Sequence, residues 1–219
     1  MKLNELKTPS IILNLDALEN NIKKFHNLAI ENNKKIWPMI KTHKSSEILK
    51  MQKENKATGV LCGTLDECEK SIDAGFENIM YAYPVSDELA IERIINLSKK
   101  TNFIVRIDNL ETGKLINEKA HQKNTKINYT IIVNCGLNRF GIEKENILEF
   151  AEKMKEFENL NFVGISSHPG HVYSATLPEE VDKFVQDEIE TLAYTKKVLK
   201  DEGYEIKYVT SGSTPTYLK

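Results

Sequence analysis

Short β-branched runs alternate with longer amphipathic stretches along nearly the whole sequence, and no other feature limits the fold as much. Strand-like segments fall at residues 36–40, 59–62, 78–81, 102–107, 128–133, 161–166 and 205–209, with a further one at 11–15 ahead of them. Between them, residues 66–74, 87–99, 145–157 and 178–201 carry apolar side chains at helical spacing; Ile147, Phe150, Ala151 and Met154 share one face. Asp16 reads as the N-cap of a helix bearing Leu18, Ile22, Phe25 and Leu28. Strand followed by helix, repeated, means a parallel sheet with crossover helices. An open doubly wound sheet would carry a GxGxxG turn after its first strand, and none is present. The expected fold is α/β, a (β/α)8 TIM-type barrel. Such a barrel usually takes about 250 residues, and the 219 here are expected to lack its last strand.

Composition matters mainly for what it excludes. Thirty basic against 32 acidic residues leave a net charge of −2 and impose no basic face, so nucleic acid is not an expected partner. No apolar run approaches the roughly 18 residues that span a bilayer, and the first five residues hold no signal-like apolar segment. No membrane association is expected, and the expected compartment is cytoplasmic. Cys62, Cys68 and Cys135 are odd in number and lack CxxC spacing, against a disulfide framework or a cysteine-pair zinc site.

Barrel enzymes keep their chemistry at the C-terminal ends of the strands. Lys41-Thr42-His43-Lys44 follows the segment 36–40, and Asn134 to Gly141 follows 128–133. Ser167 to Tyr173 follows 161–166, and Ser211-Gly212-Ser213-Thr214-Pro215-Thr216 follows 205–209. A strand-end lysine among apolar neighbours suits Schiff-base chemistry, which points to Lys41; Lys44 lies further into the loop and reads as a surface charge. The Ser-Gly-Ser-Thr turn offers hydroxyls, backbone N–H groups and close approach, as a phosphate needs. Arg139, in Gly-x-x-Arg-x-Gly, is placed to meet a phenolate or carboxylate. His168 and His171 have HxxH spacing but no third ligand nearby in sequence, so no metal site is expected in this chain. Lysine, hydroxyl-rich turn and arginine on one rim specify a phosphorylated aldehyde cofactor.

At these residues the sequence resembles the D-serine dehydratase and D-threonine aldolase family, a branch of the alanine-racemase-like, fold-type III pyridoxal-phosphate enzymes. Pro38-Met39-Ile40-Lys41-Thr42-His43-Lys44-Ser45 and Gly212-Ser213-Thr214-Pro215-Thr216 carry the resemblance most specifically. Thr8-Pro9-Ser10, the segment from Leu15 to Ile22, and Gly63 to Glu69 fall in the same order. The resemblance implies a pyridoxal 5'-phosphate-dependent lyase acting on small D-β-hydroxy amino acids; a cofactor-holding protein without catalysis and an amino-acid racemase are the alternatives. It implies that Lys41 carries the cofactor and that Arg139 sits beside its phenolic oxygen. His168 and Tyr173 would line the ring, and Gly212, Ser213 and Thr214 would bind the phosphate. It also implies a homodimer and a divalent metal, zinc or manganese, in the full-length protein. Residues 1–16 would contribute a strand to a C-terminal β-domain completed by residues absent here, and 17–219 would form an incomplete barrel. Two positions depart from the pattern: Asn134 stands where relatives carry aspartate, and Ser166 where they carry tyrosine or glutamine.

Overall fold

The computed structural model describes residues 3–219; residues 1 and 2 of the expected N-terminal strand segment lie outside that range. Helix α1 spans Leu15–Glu31, followed by α2, Ser46–Glu54. Strand β1 (Val60–Cys62) leads to α3 (Leu65–Asp73), β2 (Asn78–Tyr81) to α4 (Glu88–Ser98), and β3 (Asn102–Ile107) to α5 (Leu110–Gln122). Then come β4 (Ile127–Ile132), α6 (Ile147–Met154), β5 (Leu160–Ser166), α7 (Pro178–Asp201), β6 (Tyr208–Thr210) and α8 (Thr214–Tyr217).

The strands lie in sequence order, β1 through β6, every neighbouring pair parallel. There is no switch point in that order, which sets the sheet apart from a doubly wound one. The sheet curls: the Asn102 Nδ2 amide of β3 donates to the Tyr208 hydroxyl of β6 at 3.2 Å, and Tyr208 packs on Trp37 with ring centroids 5.5 Å apart. The six strands thus form a curled half-barrel.

Two apolar layers hold it. The larger lies between sheet and helices and includes Ile79, Ile91, Phe103, Val105, Ile116, Ile131 and Leu199. The smaller fills the concave side with Met80, Ile104 and Val163 against Trp37, Leu61 and Tyr208. With both faces covered, β3 and β4 are buried almost throughout, as parallel strands are. At the strand ends, Thr64, Asp87 and Asn109 cap the following helices, their side-chain oxygens accepting the N–H of Glu67, Ala90 and Thr112. Each such cap contributes about 1 kcal/mol. Gly164 admits the closest strand approach: at φ +150°, a β-carbon there would stand 1.9 Å from the Tyr208 carbonyl oxygen.

Three expectations are corrected. Residues 11–14 are not a strand; Ile11 is 95% exposed and has no ladder partner among the described residues. Leu15, expected in that strand, opens α1, and the cap is Asn14 rather than Asp16, its side chain accepting from Ala17 N–H. Residues 36–40 run beside β1 without completing a ladder. Ile36 and Pro38 carbonyls accept from Thr58 and Leu61, and Met39 bridges Leu61, but Pro38 has no N–H to return.

Candidate functional site

Lys41 sits on a 3-10 turn, Ile40–Thr42, at the C-terminal rim of the sheet. Its Cβ and the Tyr83 ring edge each lie 3.5 Å from where a β-carbon on Gly63 would stand, so the bare glycine lets the two side chains converge. Among the described residues, no hydrogen bond or ion pair reaches the Lys41 amine. Lys44 differs: its ammonium stands 3.4 Å from Glu67 Oε1. Glu67 is itself buried and accepts the Gly63 N–H through Oε2 at 2.7 Å. One carboxylate therefore holds the glycine wall beside Lys41 and occupies the rival lysine.

Arg139 lies over Phe140 and Tyr83, its guanidinium carbon 4.4 and 5.5 Å from their ring centres, which extends the surface that begins at Lys41. Its turn is built from below. The Asn134 side-chain oxygen accepts from Gly136 and Asn138 N–H, both at 3.1 Å, and its amide donates to Asn138 Oδ1 and Glu143 Oε1. Asp108, following β3, accepts the Gly141 N–H at 3.0 Å. At φ +117°, Gly141 also leaves no room for a β-carbon, which would meet Asn134 N at 2.8 Å.

His168 is half-buried after β5, with Nδ1 3.1 Å from the Gly212 carbonyl oxygen. A carbonyl only accepts, so Nδ1 carries the proton and Nε2 is left as an acceptor. Burial lowers the His168 pKa; the Gly212 bond opposes this, and the charges of Arg139, Arg106 and Lys41 lower it further. Burial and the charges of three cationic side chains together disfavour the protonated imidazole. Gly212, at φ +135°, faces open space, with nothing within 4 Å of where a β-carbon would stand. Ser213 and Thr216 bond each other across the start of α8, while Thr214 is exposed. Tyr173 lies on the 3-10 turn Gly170–Ser174, 64% exposed, and no ring contact or hydrogen bond joins it to the other site residues among those described. His171 turns from His168 to pack edge-on against Phe184, centroids 4.6 Å apart.

Three residues of this region carry no strand-end signal in the sequence. Arg106 is buried within β3, its Nε donating to Ser166 Oγ at 2.8 Å and Nη1 to the Ala82 carbonyl at 3.0 Å. Burial above all, and then Arg139, pulls its pKa down to about 10. Glu188 of α7 is buried under the 211–216 turn; burial raises its carboxyl pKa, and the Ser211 and Thr216 hydroxyls beside it pull the other way. Glu67 is the third. Arg106 interrupts an apolar run, a readable signal; the two glutamates look like ordinary solvated helix positions.

Residues 13–219 match the family described as alanine racemase, N-terminal domain. The chain is 27% identical over 220 residues to a 3-hydroxy-D-aspartate aldolase from Paracoccus denitrificans, covering 99% of this chain and 57% of that protein. It is 27% identical over 227 residues to D-serine dehydratase from Dictyostelium discoideum, covering 97% and 57%. The crystal structure of D-threonine aldolase from Filomicrobium marinum superposes with a TM-score of 0.92 at 26% identity, over 99% of this chain and 59% of that one. The chain therefore spans less than two thirds of the length of these relatives.

Proposed function

Because this chain belongs to the alanine racemase N-terminal domain family, we propose that it forms the barrel of a pyridoxal-phosphate-dependent lyase acting on a small D-configured β-hydroxy amino acid. The observation that carries the reading is the contrast between two lysines on one loop. Lys44 is paired with buried Glu67, whereas the Lys41 amine is free beside Gly63 and Tyr83. Relatives described as D-serine dehydratase and D-threonine aldolase support the lyase class.

The residues suit such a cofactor: a free amine, a glycine facing open space at the hydroxyl-rich turn, and cationic side chains whose charge, with burial, lowers the pKa of His168. Lys41 would carry the cofactor; Gly212, Ser213 and Thr214 would hold its phosphate, and Arg139 would face its phenolic oxygen. When bound, the cofactor supplies an electron sink for the pair released at the substrate Cα. Lys41 Nζ, freed when the amino acid takes its place on the cofactor, would accept the Cα proton where the β-hydroxyl is lost as water; where Cα–Cβ breaks instead, the proton to be removed is that of the β-hydroxyl. His168, its Nε2 unprotonated, would line the ring, and Glu188, beside the Ser211 and Thr216 hydroxyls, would support the turn that is to hold the phosphate. Tyr173 lines the ring only if its exposed side chain swings inward. The described residues include no group of three His, Cys, Asp or Glu side chains that could hold a metal ion. No helix among them is long and apolar enough to cross a membrane; the cytoplasm as compartment and a homodimer as assembly are part of the proposal.

Incubation with pyridoxal phosphate and D-serine or D-threonine tests the reading. In the full-length protein pyruvate or glycine should form, and Lys41→Ala should abolish it; the 219-residue chain alone, which spans 57% of the length of its relatives, should bind the cofactor weakly and show no significant turnover. Turnover that survives Lys41→Ala, or that requires the L-enantiomer, would overturn it.

A further inference from the structure

Among the described residues, Arg106 is the one buried cation whose hydrogen bonding is left incomplete. It lies on β3, paired in register with Thr130 of β4, and points to the concave side two residues beyond Ile104 of the inner apolar layer. It therefore stands one layer nearer the C-terminal rim. The residue is 4% exposed. Nε and Nη1 are fixed by Ser166 and Ala82, and Ser166 is held in turn by Thr130, whose hydroxyl donates to it at 3.1 Å, and by the Ile131 carbonyl. Nη2 is buried with no partner at all.

Among the described residues, no carboxylate forms an ion pair with this guanidinium. Asp108, the acidic group whose charge acts on it, gives one oxygen to Gly141 N–H and the other to the Asn109 amide. Arg139, a like charge, acts on Arg106 more than Asp108 does. A guanidinium built to donate in a fork, anchored on one side and open on the other, is a receptor for an anionic oxygen. Burying it unpaired is costly in a protein that gains nothing from it, and a ligand's anion removes that cost.

We propose that Arg106 forms the floor of the ligand site, its free Nη2–H taking an anionic oxygen of pyridoxal phosphate or of the amino acid bound beside it. This rests on the cofactor reading given above and adds a residue to it. Ser166 then has a defined part: it aims the guanidinium by accepting from Nε, a task for which a small hydroxyl is suited and a bulky side chain is not.

Absorbance titrations of the 219-residue chain and of Arg106→Gln, first with pyridoxal phosphate and then with D-serine added, separate the two sources of the oxygen. Weakening of pyridoxal phosphate binding by about tenfold or more in a variant with native circular dichroism assigns the oxygen to the cofactor. Unchanged cofactor binding with a similar loss in the response to D-serine assigns it to the amino acid. Equal behaviour of variant and wild type in both titrations overturns the proposal. Should Arg106→Gln fail to fold, Arg106→Lys, which keeps the charge and loses the fork, is read by the same criteria. A wild-type chain that takes up no pyridoxal phosphate overturns the cofactor reading itself, and this inference with it.

Discussion

Replacing Glu67 should loosen the wall on which Lys41 stands, and the structure sets the size of the effect. The Glu67 side chain is 3% exposed. Its Oε2 accepts the Gly63 N–H at 2.7 Å, and its Oε1 forms an ion pair rather than a hydrogen bond with Lys44. A hydrogen bond to a charged acceptor contributes about 1.5–3 kcal/mol. Lys44 is 59% exposed, so its pairing is screened and adds at most ~1 kcal/mol. Glu67→Ala removes both and should cost ~2–4 kcal/mol. Glu67→Gln keeps an acceptor for Gly63 and should cost about 1 kcal/mol. Urea denaturation at constant m-value measures both. An alanine variant within about 0.5 kcal/mol of wild type, or a glutamine variant as unstable as alanine, would refute the reasoning.

Asn134→Asp should destabilise the Arg139 turn by ~1–3 kcal/mol, because the two donors of the Asn134 amide are lost and a carboxylate is set against Glu143; denaturant midpoints check it. Glu188→Gln should leave the protein as stable as wild type or more so at pH 7. The Glu188 pKa is raised on folding, so ionisation costs stability as pH rises above the ordinary value of 4.5, and glutamine escapes that loss; melting temperatures of the pair between pH 4 and 8 should diverge with rising pH. Gly164→Ala should cost at least ~3 kcal/mol, since the new methyl would overlap the Tyr208 carbonyl; soluble yield and thermal melting report it.

The middle strands were legible because burial on both faces leaves a continuous apolar run. Residues 78–81 and 102–107 form strands with the boundaries their patterns give. The pattern fails where side-chain type and backbone pairing part company. Residues 36–40 are apolar enough for a strand, but Pro38 lacks the N–H that a ladder needs. Residues 11–14 have the β-branched content of a strand and no neighbour to pair with among the described residues. Of the site, the strand-end groups Lys41, Arg139, His168 and Gly212 follow from their position after apolar runs, and the structure brings them to one rim. Glu67 and Glu188 do not, and Arg106 shows only as a charge interrupting an apolar run, because their parts are set by contacts across the chain. Glu67 serves Gly63 and Lys44, Glu188 serves a turn more than twenty residues on, and Arg106 serves Ser166 sixty residues away.

The central claim is that Lys41 is the reactive lysine of a pyridoxal phosphate site. Its most direct test is chemical trapping: add pyridoxal phosphate to the 219-residue chain, reduce with borohydride, and map the modified peptide. The account requires the phosphopyridoxyl group on Lys41, with Lys44 unmodified and labelling abolished in Lys41→Ala. Modification of Lys44 with Lys41 untouched, or labelling spread over surface lysines and unchanged in Lys41→Ala, would contradict it.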